Sequence, residues 1–138
     1  MSVSVTIVDG PIPEEPDPAN PASAGAVVVF QGVARAIEQG RPIAALEYEV
    51  YEPMASQMLD RIARDLVDRF GLVGIDVAHS RGSVPAGACS LRLRVVGRHR
   101  GECFQAACAF IDRLKRDVPI WKHPIWSEPD PDSDESNP

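Results

Sequence analysis

The sequence has no long hydrophobic run. Nothing in its 138 residues approaches the roughly 18 consecutive apolar positions that a membrane-spanning helix needs, so no membrane association is expected. The opening residues MSVSVTIVDG carry no basic segment ahead of an apolar stretch, which reads as the absence of a secretory signal and sets the cytoplasm as the expected location. Cysteine is scarce and unpaired: Cys89, Cys103 and Cys108 form no CxxC motif. On a helix, Cys103 and Cys108 stand about 140° apart, which does not suit a shared metal. Buried free thiols are one reading of them, and a persulfide-carrying cysteine is the other. No metal-ligand spacing, glycine-rich phosphate loop or Ser/His/Asp signature is present. A dense Lys/Arg stripe with interleaved aromatics is also missing, so nucleic acid is not an expected partner.

What is there is a chain of ordinary soluble composition, 44% hydrophobic and 25% charged, of a length that suits one domain. The net charge of −6 is unevenly placed. Residues 9–20 contain Asp9, Glu14, Glu15 and Asp17, and residues 127–138 contain Glu128, Asp130, Asp132, Asp134 and Glu135, with no Lys or Arg in either stretch. Setting those nine aside leaves 11 acidic residues against 14 basic ones, a mildly basic remainder that can receive an anionic small molecule. Eight of the 13 prolines fall in 11–21 and 129–138. The expected organisation is therefore a single domain over residues 1–126, with a proline-rich linker at 11–22 inside it, followed by a disordered acidic tail at 127–138.

Between these stretches the pattern alternates strand and helix. Val3–Val8, the apolar β-branched run Ala26–Val33, Ile43–Tyr51, Ile75–His79 and Cys89–Val96 read as strands, and Ala34–Pro42 as a mobile polar loop. In Cys89–Val96, Leu91, Leu93 and Val95 face one side, with Arg92 and Arg94 opposite. Pro53 opens a helix whose expected apolar stripe is Met54, Met58, Ile62, Leu66 and Phe70, with Gly71 as its stop. A second helix covers about Gly101–Asp117, ending before Pro119, with Phe104, Cys108 and Ile111 as its expected buried stripe. The fold class implied is α+β, two main helices packed on a mostly antiparallel sheet.

Lys115 is the anomaly in this pattern. It lies about 20° in helical projection from Phe104, on the expected buried stripe. Two readings are open: a lysine snorkelling from the last helical turn, or a partly desolvated amine usable in acid–base or covalent chemistry. Pro119-Ile120-Trp121-Lys122-His123 places a second lysine just beyond the helix, in what reads as a rigid loop over a cleft. Arg98-His99-Arg100 precedes the helix and suits an anion pocket, since free N–H groups and the helix dipole point there. Arg35 stands similarly at a strand end. His79 reads as part of the sheet packing. The residues alone thus describe a small α+β domain with a cationic pocket for a phosphate-bearing ligand.

These residues resemble the molybdopterin synthase large-subunit family over roughly residues 25–123. VVVFQGVAR resembles its early strand motif ending in Arg35, Tyr51-Glu52-Pro53-Met54 its strand-to-helix junction, HSRGSVPAG (79–87) its HRxGxVPxG turn, and His99-Arg100 its Ala-His-Arg step. The most specific stretch is FQAACAFIDRLKRDVPIWK (104–122), similar to FxAxxxxxDxLKxxxPxWK. The resemblance implies an α/β-hammerhead fold and a sulfurtransferase. Sulfur would pass from the thiocarboxylated C-terminal glycine of a small ubiquitin-like subunit to cyclic pyranopterin monophosphate, forming the molybdopterin dithiolene. It further implies a homodimer of large subunits within a heterotetramer, with no metal or dissociable cofactor needed. Lys115 and Lys122 match the catalytic lysines. Arg35, His99, Arg100, Lys115, Lys122 and His123 are the expected substrate-binding set, some of it supplied across the dimer interface. The alternative is a non-catalytic module binding a ubiquitin-like tail or a phosphorylated ligand. The chain departs from the family pattern at Pro124, where an acidic residue is usual, at Ser80, where arginine is usual, and at Gly97-Arg98. A proline-rich stretch also stands where an N-terminal helix is expected.

Overall fold

The computed structural model describes residues 2–129, so the tail expected at 127–138 lies, from residue 130 onward, outside the described residues. Seven strands and two helices follow one another as β1 (Ser2–Asp9), β2 (Ala26–Val33), β3 (Ile37–Glu38), β4 (Arg41–Val50), α1 (Met54–Phe70), β5 (Gly74–Pro85), β6 (Cys89–Gly97), α2 (Arg100–Asp117) and β7 (Ile120–Trp126). The class is the expected α+β. All pairings are antiparallel except β1 with β5, which run parallel from Ser2↔Gly74 to Asp9↔Arg81.

β5 is longer than its sequence pattern indicated and changes partners midway. Its first half, Gly74–His79, pairs with β6, while Gly82–Pro85 pairs with β4. β4 in turn pairs with β7 along nearly its whole length. Both helices pack on one face of the β1/β5/β6/β2 sheet, where Leu91, Leu93 and Val95 point inward as their alternation dictates. A second, smaller core of Ala34, Ile43, Leu46 and Val84 lies under the β4/β7 half.

The helices are rotated relative to the expected stripes. On α1 the buried positions are Ala55, Leu59, Ile62, Ala63, Leu66 and Val67, while Met54 is 47% exposed. On α2 they are Cys103, Ala106, Ala107, Phe110 and Leu114; Phe104, Cys108 and Lys115 are exposed and Ile111 is half-buried. The physical reason is side-chain size. Alanines at 55, 63, 106 and 107 let α1 and α2 approach each other and the sheet closely, and Leu59, Leu66, Phe110 and Leu114 beside them fill the core. The larger Phe104 and Ile111 remain on a flank. α1 stops at Gly71, whose φ of 63° is the left-handed conformation glycine adopts at a helix end. α2 stops at Val118, ahead of Pro119.

Three connecting stretches also differ from expectation. Ala34–Pro42 is not a simple loop: β3 and β4 form a tight hairpin through Gln39 (φ 53°) and Gly40 (φ 74°), both in the left-handed region that such two-residue turns require. Pro119–His123 is not a loop either, because Ile120, Trp121 and Ile125 are strong strand formers and β4 has a free edge to receive them. The proline-rich stretch 11–22 has no regular structure but is tied down. Ile12 N–H donates to the Cys89 carbonyl, Arg92 pairs with Asp17, and Arg94 donates to the Asn20 side chain at 2.8 Å. Arginines on the sheet face opposite the helices thus hold the linker as a strap. No helix among the described residues is long and apolar enough to cross a membrane.

The rotated face of α1 is directly testable. Leu59→Ala should cost about 2–5 kcal/mol of stability, whereas Met54→Ala should cost under about 1 kcal/mol, as measured by urea unfolding. Equal losses would contradict the packing described.

Candidate active site

A cleft of about 630 Å³ opens where β2, the last turn of α2 and the start of β7 meet. β2 and the residues after it contribute Phe30, Gln31, Gly32, Val33 and Arg35; α2 contributes Ile111, Leu114 and Lys115; β7 contributes Ile120 and Lys122. Tyr48, His79, Ser90 and Leu91 complete the lining. The exposed flank of α2 is therefore one wall of a cleft, and Lys115 projects from it rather than from the core stripe. Lys122 follows from strand alternation. It pairs with Tyr48 in the β4–β7 ladder, while its neighbour His123 lies outside the cleft lining and reaches Glu49 at 3.9 Å.

Three of the expected site residues thus come together: Arg35, Lys115 and Lys122. Three do not. His123 belongs to the other face of β7. His99 and Arg100 sit at the opposite end of α2, and 15 residues of helix separate Arg100 from Lys115 by about 22 Å. His99 is 83% exposed at its side chain and its Nδ1 lies 3.1 Å from Glu102, so this basic cluster faces outward from a single copy of the chain.

Sequence reasoning missed four residues. Glu38, from the β3–β4 hairpin, lies 3.6 Å from Arg35 and 3.7 Å from Lys122. The Tyr48 hydroxyl donates to Ser90 Oγ at 3.0 Å, and the ring of Tyr48 meets His79 edge-on at 5.2 Å. His79 is buried, and its Nδ1 lies 2.8 Å from the Ser80 carbonyl. A carbonyl can only accept, so that nitrogen carries the proton of the neutral ring. Burial pushes the imidazole below its ordinary 6.5, partly opposed by that hydrogen bond. His79 therefore packs in the sheet, as expected, and also lines the cleft. One further signal lay in the composition: Lys115 and Lys122 are the only lysines in the chain, and both line this cleft.

The thiols divide. Cys103 is buried and burial raises its pKa, Cys89 is intermediate, and Cys108 is exposed, so the reading of three buried thiols holds for Cys103 alone. No group of three or more His, Cys, Asp or Glu side chains among the described residues is arranged to hold a metal ion.

Residues 13–117 match the family model described as MoaE protein. The chain belongs to the MoaE family. It is 34% identical over 107 residues to the molybdopterin synthase catalytic subunit of Pyrococcus abyssi, covering 78% of this chain and 72% of that protein. To the catalytic subunit of Nostoc sp. it is 38% identical over 111 residues, covering 80% and 67%. To that of Coccidioides immitis it is 39% identical over 100 residues, and this match spans about half of the fungal protein, 51%. Among solved structures, the molybdopterin synthase of Staphylococcus aureus superposes with a TM-score of 0.79 at 31% identity, covering 90% of this chain and 92% of that one. A protein–protein complex of subunits 1 and 2 of the Helicobacter pylori molybdopterin-converting factor shares the fold, with a TM-score of 0.69 at 22% identity over 90% of each chain.

The lowered His79 pKa fixes a direction for MoaE-fold stability here. The unfolded chain takes up a proton as pH falls through about 6.5, and the folded chain resists it, so folding stability drops as pH falls below about 6.5. His79→Gln should flatten that drop in melting temperature. An unchanged slope in the variant would assign the effect elsewhere.

Proposed function

We propose that this chain is the catalytic subunit of a molybdopterin synthase. It transfers sulfur from the thiocarboxylated C-terminal glycine of a small ubiquitin-like subunit to cyclic pyranopterin monophosphate, forming the molybdopterin dithiolene. The observation that carries this reading is the convergence of the chain's only two lysines, with Arg35, on one half-apolar cleft. The names of the relatives support it, as does the H. pylori complex, whose partner is a second subunit.

The chemistry follows from the lining. Each delivered sulfur bonds to a side-chain carbon of the pterin whose oxygen substituent leaves, as water at one carbon and by opening of the cyclic phosphate ester at the other. Water then cleaves the acyl carbon–sulfur bond to the tail, leaving the sulfur on the pterin and the tail as a carboxylate. The steps develop negative charge on oxygen and move protons. Two ammonium groups that can approach from opposite walls stabilise the former and, as amines, relay the latter. Phe30, Val33, Ile111 and Leu114 give the cleft an apolar lining beside these cations. Arg35 supplies a guanidinium for the substrate phosphate.

One copy leaves that anion site incomplete, because His99 and Arg100 lie about a helix length away. In a homodimer they reach the cleft of the second copy. Two copies of this chain with two small subunits then form a heterotetramer.

The test is incubation with cyclic pyranopterin monophosphate and thiocarboxylated small subunit, with product read by the fluorescence of the oxidised pterin. Lys115→Ala and Lys122→Ala should each reduce product at least about 100-fold. Near-normal turnover in either variant removes that lysine from the mechanism. Mixing Lys115→Ala with Arg100→Ala copies should restore about a quarter of wild-type activity through statistical heterodimers that hold one intact site. Arg100→Ala alone should be nearly inactive; full activity in that variant, or no restoration on mixing, would remove the placement of Arg100 across the dimer.

A further inference from the structure

We propose that Glu38 is a positioning residue for this site, holding Lys122 and Arg35 in their working orientation from behind the cleft wall. The inference rests on the proposed sulfur-transfer reading. Glu38 Oε2 lies 3.6 Å from the Arg35 guanidinium and Oε1 lies 3.7 Å from Lys122 Nζ, so one carboxylate spans two cations with its two oxygens. The carboxylate's side chain is only 13% exposed, against 74% for Arg35 and 52% for Lys122. Arg35 and Lys122 line the cleft, whereas Glu38 does not. An anion between the cations and the ligand would compete with a phosphate. An anion behind them leaves their outer N–H groups available and fixes where the stems point.

The backbone supports this role. Glu38 belongs to β3, whose position is set by the two-residue turn at Gln39 and Gly40 and by pairing with Arg41 and Pro42 on β4. β4 also pairs with β7, the strand that carries Lys122. Carboxylate and ammonium therefore ride on strands joined through a common neighbour, and their separation is fixed by the sheet rather than by a mobile loop. At 3.6–3.7 Å these are ion pairs rather than short hydrogen bonds, and pairs this exposed add little to folding stability. Their consequence is orientational. Lysine has a flexible four-carbon stem, and a reacting group misplaced by about 1 Å can lose up to about 100-fold in rate.

Glu38→Gln keeps the shape and removes the charge. It should lower kcat about tenfold through loss of Lys122 alignment. KM for the anionic substrate should be unchanged or lower, because the cleft gains one net positive charge. A merely structural loss would raise KM, or would lower the fraction of active enzyme, which titration of active sites separates from a change in kcat. Glu38→Asp keeps the charge and should recover part of kcat. The independent arm uses the fact that the chain has two lysines. Labelling the lysine ε-carbons with carbon-13 gives two resonances in the full-length chain, and their relaxation reports the order of each stem. Lys122 should be the more ordered in the wild type, and Glu38→Gln should loosen Lys122 while leaving Lys115 unaffected. Unchanged Lys122 relaxation in Glu38→Gln, or an unchanged kcat, overturns the proposal. If the wild type forms no dithiolene, the sulfur-transfer reading fails, while the relaxation comparison still decides whether Glu38 holds Lys122.

Discussion

The change of partners along β5 is the constraint on which the rest depends. Up to His79 this strand belongs to the helix-covered sheet, and from Gly82 it belongs to the sheet built on β4. Gly82, at φ 86°, occupies a conformation that few other residues adopt, at the point where the strand passes from one set of partners to the other. Because one continuous strand serves both sheets, the C-terminal turn of α2 and the end of β2 are brought against the start of β7. Lys115 comes from a helix of the first sheet, Lys122 from the strand paired with β4, and Arg35 from the segment that leads from β2 to β3. A break in β5 near Gly82 would uncouple the β4 ladder from the β1 and β6 ladders and so separate them.

The legible part of this architecture was the part governed by period and by turn chemistry. The alternation of Leu91, Leu93 and Val95 against Arg92 and Arg94 placed β6 and its faces correctly, and Gly71 and Pro119 marked both helix ends. The rotation of both helices was not legible from a count of large apolar residues. Alanine weighs little in such a count, yet it decides which face can approach the sheet, as Ala55, Ala63, Ala106 and Ala107 do here. Lys115 was thereby placed on the wrong stripe, although its pairing with Lys122 was read from the 104–122 motif. The β3 hairpin was hidden because two strand residues give no periodicity, and Glu38 was hidden with it. Its partners are fixed only once β4 and β7 are paired.

Arginine and lysine are used differently in this chain. Lysine occurs only in the cleft, and several arginines outside it are committed to structure: Arg92 and Arg94 hold the strap, Arg81 pairs with Asp9, and Arg113 joins α2 to Asp65 on α1. A guanidinium suits such work because its planar fork satisfies fixed acceptors and it keeps its proton. An amine is a compact charge that can give up a proton, which a guanidinium in a protein does not do. Confining lysine to the cleft therefore separates groups that must stay charged from groups that can take part in proton transfer.

The basic residues of a single copy do not all gather at the cleft. Two amines and one guanidinium converge on the cleft from different elements, and Arg35, mostly exposed, is the one arginine that lines it among the described residues. The N-terminus of α2 presents His99 and Arg100 outward, beside free backbone N–H groups, in an arrangement suited to an anion that this copy's own cleft does not bring there. Such a cluster can act only on something that docks against it. α2 therefore carries Lys115 at one end and an outward-facing basic step at the other, too far apart to meet in one cleft of a single copy.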